Sequence, residues 1–173
     1  MRAFIYGILV VAGLAVAGCG RSDQSGQGGN SKFKAYRGPE VTQLYVSKER
    51  RKLYLLSGID VIKTYDMDLG FAPDGPKTVR GDGRTPEGYY LIDRRNPNSQ
   101  FHLSIGISYP NQQDVAKAEA AGVDPGGDIF IHGEAKRRTS AADWTAGCIA
   151  VTNAEMEEIY AMVKDGTPIY IAP

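Results

Sequence analysis

Apolar and polar positions alternate over short stretches along most of this chain, and the alternation gives way to helical spacing at only two places. Leu44 and Val46 alternate with Gln43 and Tyr45, and after the polar turn Ser47-Lys48-Glu49-Arg50 the pattern resumes at Leu53 and Leu55. Period-two patterning around a short polar turn predicts antiparallel strands. A third strand is expected over 59–67, set off by Ser57-Gly58 at hairpin spacing. Further strands are expected over 88–93, 101–109, 128–131 and 169–171. The stretch 111–122 is alanine-rich, opens on Asn111 and closes on Gly122, which predicts a capped short helix. A second helix is expected from Thr152-Asn153-Ala154-Glu155, a Ser/Thr-x-x-Glu capping box, through Ile159, Met162 and Val163 to Lys164. Gly166-Thr167-Pro168 stops it. The class is mainly β with two or three short helices.

The first residues do not fit that pattern. Arg2 is followed by an apolar run ending in Ala17 and Gly18, too short for a comfortable membrane span, so 1–18 has the form of an export signal. Val16-Ala17-Gly18-Cys19 resembles the bacterial lipobox, in which the cysteine becomes the N-terminus and receives lipid. Residues 20–32 hold no apolar side chain and form a flexible tether. The expected organisation is a signal peptide over 1–18, a lipidated Cys19 with a linker over 19–34, and one domain over 35–173. The expected location is the periplasmic side of the cell envelope, with Gly20 in place of an inner-membrane Asp favouring the outer membrane.

Composition changes this picture only by exclusion. Twenty basic and 20 acidic side chains cancel, so nothing suggests a nucleic-acid partner, which needs a basic surface. No His/Cys/Asp/Glu cluster has metal-ligand spacing and no glycine-rich loop opens a helix, so neither a metal nor another cofactor is expected.

Candidate chemistry concentrates around the second cysteine. With Cys19 consumed by lipid, Cys148 has no disulfide partner, and an unpaired thiol in an oxidising compartment is a liability unless it is used. Gly147 precedes it, which lets a substrate carbonyl approach the sulfur and leaves consecutive N–H groups to meet an oxyanion. A buried structural cysteine is the plain alternative. His132, one of only two histidines, ends a predicted strand upstream and is followed by Gly133. An imidazole supplies the base that a thiol needs.

His132-Gly133, a loop, and Thr145-Ala146-Gly147-Cys148-Ile149 together resemble the signature of the YkuD-type L,D-transpeptidase catalytic domain: His-Gly, a spacer, then Ser/Thr-His-Gly-Cys and an apolar residue. Thr85-Pro86-Glu87-Gly88-Tyr89, Tyr109-Pro110-Asn111 and the closing Gly166-Thr167-Pro168 strand are similar to further family motifs. The resemblance spans about 41–172 and implies a β-sandwich fold of that type. Two positions depart from it: Ala146 stands where the family usually has histidine, and Ala150 where many members have Arg or Asn.

The resemblance implies an enzyme that attacks residue three of a peptidoglycan tetrapeptide stem, releases D-alanine and makes a 3-3 crosslink. By position, Cys148 is the nucleophile and His132 the general base; Gly133 lends a carbonyl to the imidazole, and the N–H groups of Gly147 and Cys148 form the oxyanion hole. Arg137 and Arg138, in the loop between the pair, are candidates for holding stem carboxylates. Thr145 and Tyr109 are further substrate-contact candidates, as is Arg84. Trp144 reads as a packing residue before a substrate wall, and His102 as structural. The alternatives are a hydrolytic relative that releases stem residues or a peptidoglycan-linked lipoprotein, and a non-catalytic peptidoglycan-binding lipoprotein. A papain-like peptidase fits less well, because it places cysteine before histidine on a long helix.

Overall fold

The computed structural model describes residues 31–134 and 141–173. The N-terminal meander is β1 (Gln43–Ser47), β2 (Lys52–Ser57) and β3 (Asp60–Asp66); β4 (Gly88–Asn96) and β5 (Ser104–Ile107) follow, then α1 (Gln112–Ala121). After β6 (Phe130–His132) come β7 (Ile149–Ala150), α2 (Asn153–Met162) and β8 (Pro168–Ala172). The strands form one eight-stranded sheet in the order β3-β2-β1-β8-β4-β5-β6-β7. β8 inserts parallel to β1 and antiparallel to β4, so the C-terminus seals the middle of the sheet.

The sheet curls because β4 serves two partners. Its residues 88–91 pair with β8, whereas 92–96 pair with β5, with an irregular register between Ile92 and Arg94. Such a break bends a strand and sharpens its twist. Beyond β3, at one edge, Asp68 bridges to Ala150 and Gly70 to Thr145, at the opposite edge. The two edges thereby meet, and the unpaired backbone of β7 is covered.

Inside the curl lie Leu44, Leu53, Leu55, Ile92, Ile105, Ile131, Ile149 and Ile171, all essentially without solvent exposure. Burying each such side chain contributes ~1.5–3 kcal/mol. α2 adds Met156, Ile159 and Met162, whereas α1 buries only Ala118 and is peripheral. Both helices start where their caps predict. Thr152 and Glu155 form the reciprocal box of α2, and Asn111 with Asp114 does the same for α1, which Gly122 ends at φ 66°. α2 ends at Met162 rather than Lys164, since Val163 leaves the helix for an extended backbone.

Three strand expectations shift. The run expected over 101–109 is strand only from Ser104, because His102 takes φ 72° in a tight turn where Leu103 N–H donates to Phe101 O at 2.9 Å. The strand expected over 128–131 begins at Phe130, after Asp128 at φ 56°. β4 runs on to Asn96, since pairing with β5 carries its polar end. Lys32, ahead of the domain start expected at Ala35, donates through Nζ to Pro97 O at 2.6 Å. Cys19 and the export signal lie outside the described residues, as do Arg137 and Arg138.

Candidate active site

β6 and β7 run parallel, with Ile131 opposite Ile149 and His132 opposite Ala150. Cys148 precedes Ile149 by one residue, which carries it level with Phe130 and two positions from His132. Because side chains alternate across a strand, Phe130, His132 and Cys148 leave the same face. His132 and Cys148 accordingly line one cavity of about 310 Å³, with Phe101, Ser104, Asp128 and Phe130 among its other walls.

The imidazole is held on every side. His132 is 3% exposed, its ring stacked on Phe101 at 4.3 Å and met edgewise by Trp144 at 5.6 Å. Nδ1 lies 2.7 Å from Gly133 O. A carbonyl only accepts, so Nδ1 carries the proton and Nε2 keeps its lone pair. Burial pushes the His132 pKa below the ordinary value, and the Gly133 hydrogen bond opposes this without overturning it. Burial therefore favours the neutral ring, and the Gly133 bond selects the tautomer that can accept a proton at Nε2.

Gly133 is where it is for want of space. A Cβ there would stand 2.5 Å from Asn153 Oδ1 and 2.9 Å from Phe101 O. Its N–H donates to Phe101 O at 3.0 Å, and the next N–H, of Glu134, donates to Asn153 Oδ1 at 2.9 Å. The start of α2 therefore fixes the carbonyl that orients the imidazole.

The thiol sits between backbone groups. Cys148 Sγ donates to Asp128 O at 3.6 Å. Burial is the main cause pushing its pKa above the ordinary thiol value; the Phe130 N–H favours the thiolate, and the Asp128 charge disfavours it. Burial thus favours the uncharged form of both groups, thiol and imidazole.

Thr145 organises the cysteine turn. Its Oγ1 donates to Cys148 O at 2.7 Å and accepts from Gly147 N–H at 3.1 Å. Of the two N–H groups expected to form an oxyanion hole, that of Gly147 is engaged by Thr145, and that of Cys148 has no hydrogen-bond partner among the described residues. Gly147 contributes conformation instead, with φ 125° and a position where a Cβ would stand 2.5 Å from Arg84 O. Thr145, 4% exposed, is likewise a clamp on this turn and not a wall of the cavity.

Of the other expected residues, Tyr109 is not brought to this cavity. It is buried against Tyr90, and its hydroxyl donates to Pro125 O at 3.0 Å. Arg84 is also absent from the walls; its carbonyl supports Gly147 from behind. Trp144 packs as expected and also donates through Nε1 to Asp68 at 3.1 Å. Asp143, just before it, receives Arg51 at 2.7 Å and Leu69 N–H at 2.9 Å, tying the cysteine loop to the β1–β2 turn. His102 bonds Glu157 on α2 at 2.8 Å, outside the cavity walls. Sequence reasoning missed Phe101 and Asp128. Phe101 is in phase with Leu103 and Ile105, a pattern that reports burial and not contact with His132, and Asp128 after Gly126-Gly127 is a residue type that tolerates positive φ. Ala146 is exposed and Ala150 buried, so neither departure leaves a gap in the packing.

The model of the L,D-transpeptidase catalytic domain (YkuD) matches residues 42–171, the span that builds both the sheet and this pair. The chain belongs to that family. Among L,D-transpeptidase relatives, YafK of Escherichia coli (strain K12), assigned by inference as an L,D-transpeptidase, is 28% identical over 167 residues. That alignment takes in 93% of this chain and 63% of YafK, so the chain spans under two thirds of the relative's length. Among solved structures, the helical cell shape determining protein Pgp2 of Campylobacter jejuni superposes with TM-score 0.60 at 22% identity, over 83% of this chain and 51% of Pgp2. Bd1075 of Bdellovibrio bacteriovorus gives 0.57 at 25% identity, over 81% and 50%. The mainly β, curled-sheet fold is that of the L,D-transpeptidase domain.

Proposed function

We propose that the chain is a peptidoglycan L,D-transpeptidase that works by cysteine acyl transfer on tetrapeptide stems. The observation that carries this reading is His132 in one cavity with Cys148, its Nδ1 given to Gly133 O and its Nε2 without a hydrogen-bond partner among the described residues. In the proposed reaction the Cys148 thiol leaves the Asp128 carbonyl and attacks the carbonyl of stem residue three, its proton passing to His132 Nε2. The Cys148 N–H meets the oxyanion. Collapse expels D-alanine, whose amine takes the proton from His132 and leaves a thioester on Sγ. An acceptor amine, from a second stem or an envelope protein, then attacks the thioester and returns sulfur to the thiol.

A neutral resting pair suits this order of events. An imidazolium could not take the thiol's proton, and burial disfavours that form. Water as acceptor makes the same chemistry hydrolytic, releasing stem residues or a peptidoglycan-linked lipoprotein. The proposed setting is the periplasmic face of the outer membrane, with Cys19 carrying the lipid anchor.

The test is incubation of the full chain with tetrapeptide muropeptides, read by mass spectrometry. Released D-alanine with new 3-3 dimers supports transfer, and D-alanine with tripeptide alone places the enzyme among the hydrolases. Cys148→Ala should abolish both at unchanged circular dichroism, a small side chain replacing a small one. Turnover by that variant at the wild-type rate would take the thiol out of the mechanism.

A further inference from the structure

A second recognition feature stands on the outside of the sheet, on residues the acyl-transfer reading does not use. Tyr54, Tyr45, Tyr170 and Tyr89 are successive cross-strand partners on β2, β1, β8 and β4. Their rings stack in a row, with centroids 5.6, 6.0 and 4.4 Å apart. The row ends at Tyr89, which is 76% exposed. At this point β4 pairs with β8 alone, since pairing with β5 starts only at Ile92, so no strand covers the far side of the Tyr89 ring.

That side opens on a cavity of about 450 Å³ between Tyr89 and the first turns of α1. Gln112, Gln113 and Lys117 line it, and none of their side chains has a hydrogen bond or ion pair among the described residues. Glu87 lines it too, with one carboxylate oxygen held by Lys48 at 2.6 Å. Glu87, Asp114 and Lys117 also border a second cavity of about 420 Å³, whose walls include the apolar Val79, Ala118, Ala121 and Val123. The two chambers share walls with each other and none with the cavity of His132 and Cys148.

We propose that this cleft is a carbohydrate-binding site for a linear oligosaccharide, with one sugar ring laid on the face of Tyr89. A phenol ring pre-braced by Tyr170 offers a flat apolar surface at little entropic cost, which suits the C–H face of a pyranose. Uncommitted amides and an ammonium around it suit equatorial hydroxyl and amide groups, and a mixture of both charges at the rim favours a neutral ligand over a polyanion. Two adjacent chambers with Glu87, Asp114 and Lys117 as common walls suit a chain longer than one sugar. The apolar second chamber suits a small apolar substituent, such as the methyl of an N-acetyl group.

Titration calorimetry of the full chain with soluble N-acetylglucosamine oligomers, which carry no stem peptide, tests this site apart from the Cys148 chemistry. Saturable binding is expected, weakened about tenfold or more by Tyr89→Ala and changed less than about twofold by Tyr89→Phe, which keeps the ring. Gln113→Ala should weaken it as well. Wild-type affinity in Tyr89→Ala, or no saturable binding by wild type up to millimolar sugar, would overturn the proposal. So would a wild-type dimer in sedimentation that Tyr89→Ala dissolves without any sugar binding, because a second copy would then be the occupant of this face.

Discussion

The single imidazole His132 sets the pH behaviour expected of the proposed reaction. Its pKa lies below the ordinary 6.5 because burial between Phe101 and Trp144 disfavours the charged form. The base works when neutral, so kcat/KM should hold level through neutral pH and fall only in acid, with its acid limb below 6.5. A limb at or above that value in a pH–rate profile would show that the ring is charged at rest. His132→Ala should slow acylation of Cys148 by a carbapenem, the β-lactam class the family resemblance implies, and raising the pH should partly restore it. The thiol's own pKa is raised by burial, so without a base little thiolate exists near neutrality. Gly133 carries the next constraint. Gly133→Ala forces its Cβ onto Asn153 Oδ1 and the Phe101 carbonyl, and backbone cannot yield as a flexible side chain does. It should lower stability by ~1–3 kcal/mol in urea melts and lower activity further than stability, because the carbonyl that holds His132 moves with it. Unchanged activity in that variant would mean that the Gly133 carbonyl does not position the base.

At the scale of elements, the loop between β3 and β4 is held by two buried lysines that no periodic pattern announces. Lys48 Nζ donates to Gly75 O at 2.6 Å and to Thr85 O at 3.2 Å while paired with Glu87. Lys77 pairs with Asp82 at 2.8 Å. Burial raises the pKa of Asp82, yet Lys77 and the N–H groups of Thr78, Arg84 and Val79 outweigh it and hold the carboxyl at about 2. A carboxyl whose folded pKa is depressed contributes stability above its unfolded value and loses that contribution as pH falls toward the folded one. Stability owed to Asp82, about 2 kcal/mol, should thus be complete above about pH 5 and be lost progressively as pH falls through about 2. Asp82→Asn should flatten that part of the pH–stability curve, and an unaltered curve would place the acid sensitivity elsewhere. The loop matters to the candidate site because Gly83 O packs on Gly70 and Arg84 O packs on Gly147, next to Cys148.

At the scale of the whole molecule, the proposed function requires the domain to work outside the cytoplasm on an insoluble polymer. In the proposed setting, lipid on Cys19 would supply the anchor, each buried CH₂ adding about 0.8 kcal/mol of membrane affinity. Intact-mass measurement of the mature protein from its native host should show cleavage before Cys19 and the mass of the lipid. An unmodified cysteine, or cleavage elsewhere, would end the lipoprotein reading. Closure of the sheet matters at the same scale. The bridges of Asp68 and Gly70 to Ala150 and Thr145 join the segment after β3 to the edge strand beside Cys148, so the cysteine turn is supported by both ends of the sheet.

What the sequence determined by itself is what depends on near neighbours along the chain. Alternation placed the meander and β4, and caps at Asn111, Gly122 and Thr152 placed the ends of the helices, because a strand face or a cap is satisfied within a few residues. The His-Gly and Thr-x-Gly-Cys motifs pointed to the site for the same reason. Tertiary structure decided the rest: the Phe101 ring on His132, the Asp128 carbonyl under the thiol, and the engagement of the Gly147 N–H by Thr145. It also placed Tyr109 among buried rings, away from the cleft where its motif suggested it. Such contacts join segments far apart in the chain, or depend on backbone angles at His102 and Asp128 that only the assembled sheet imposes. Local pattern reports which side chains want to be inside, and packing chooses what they touch there.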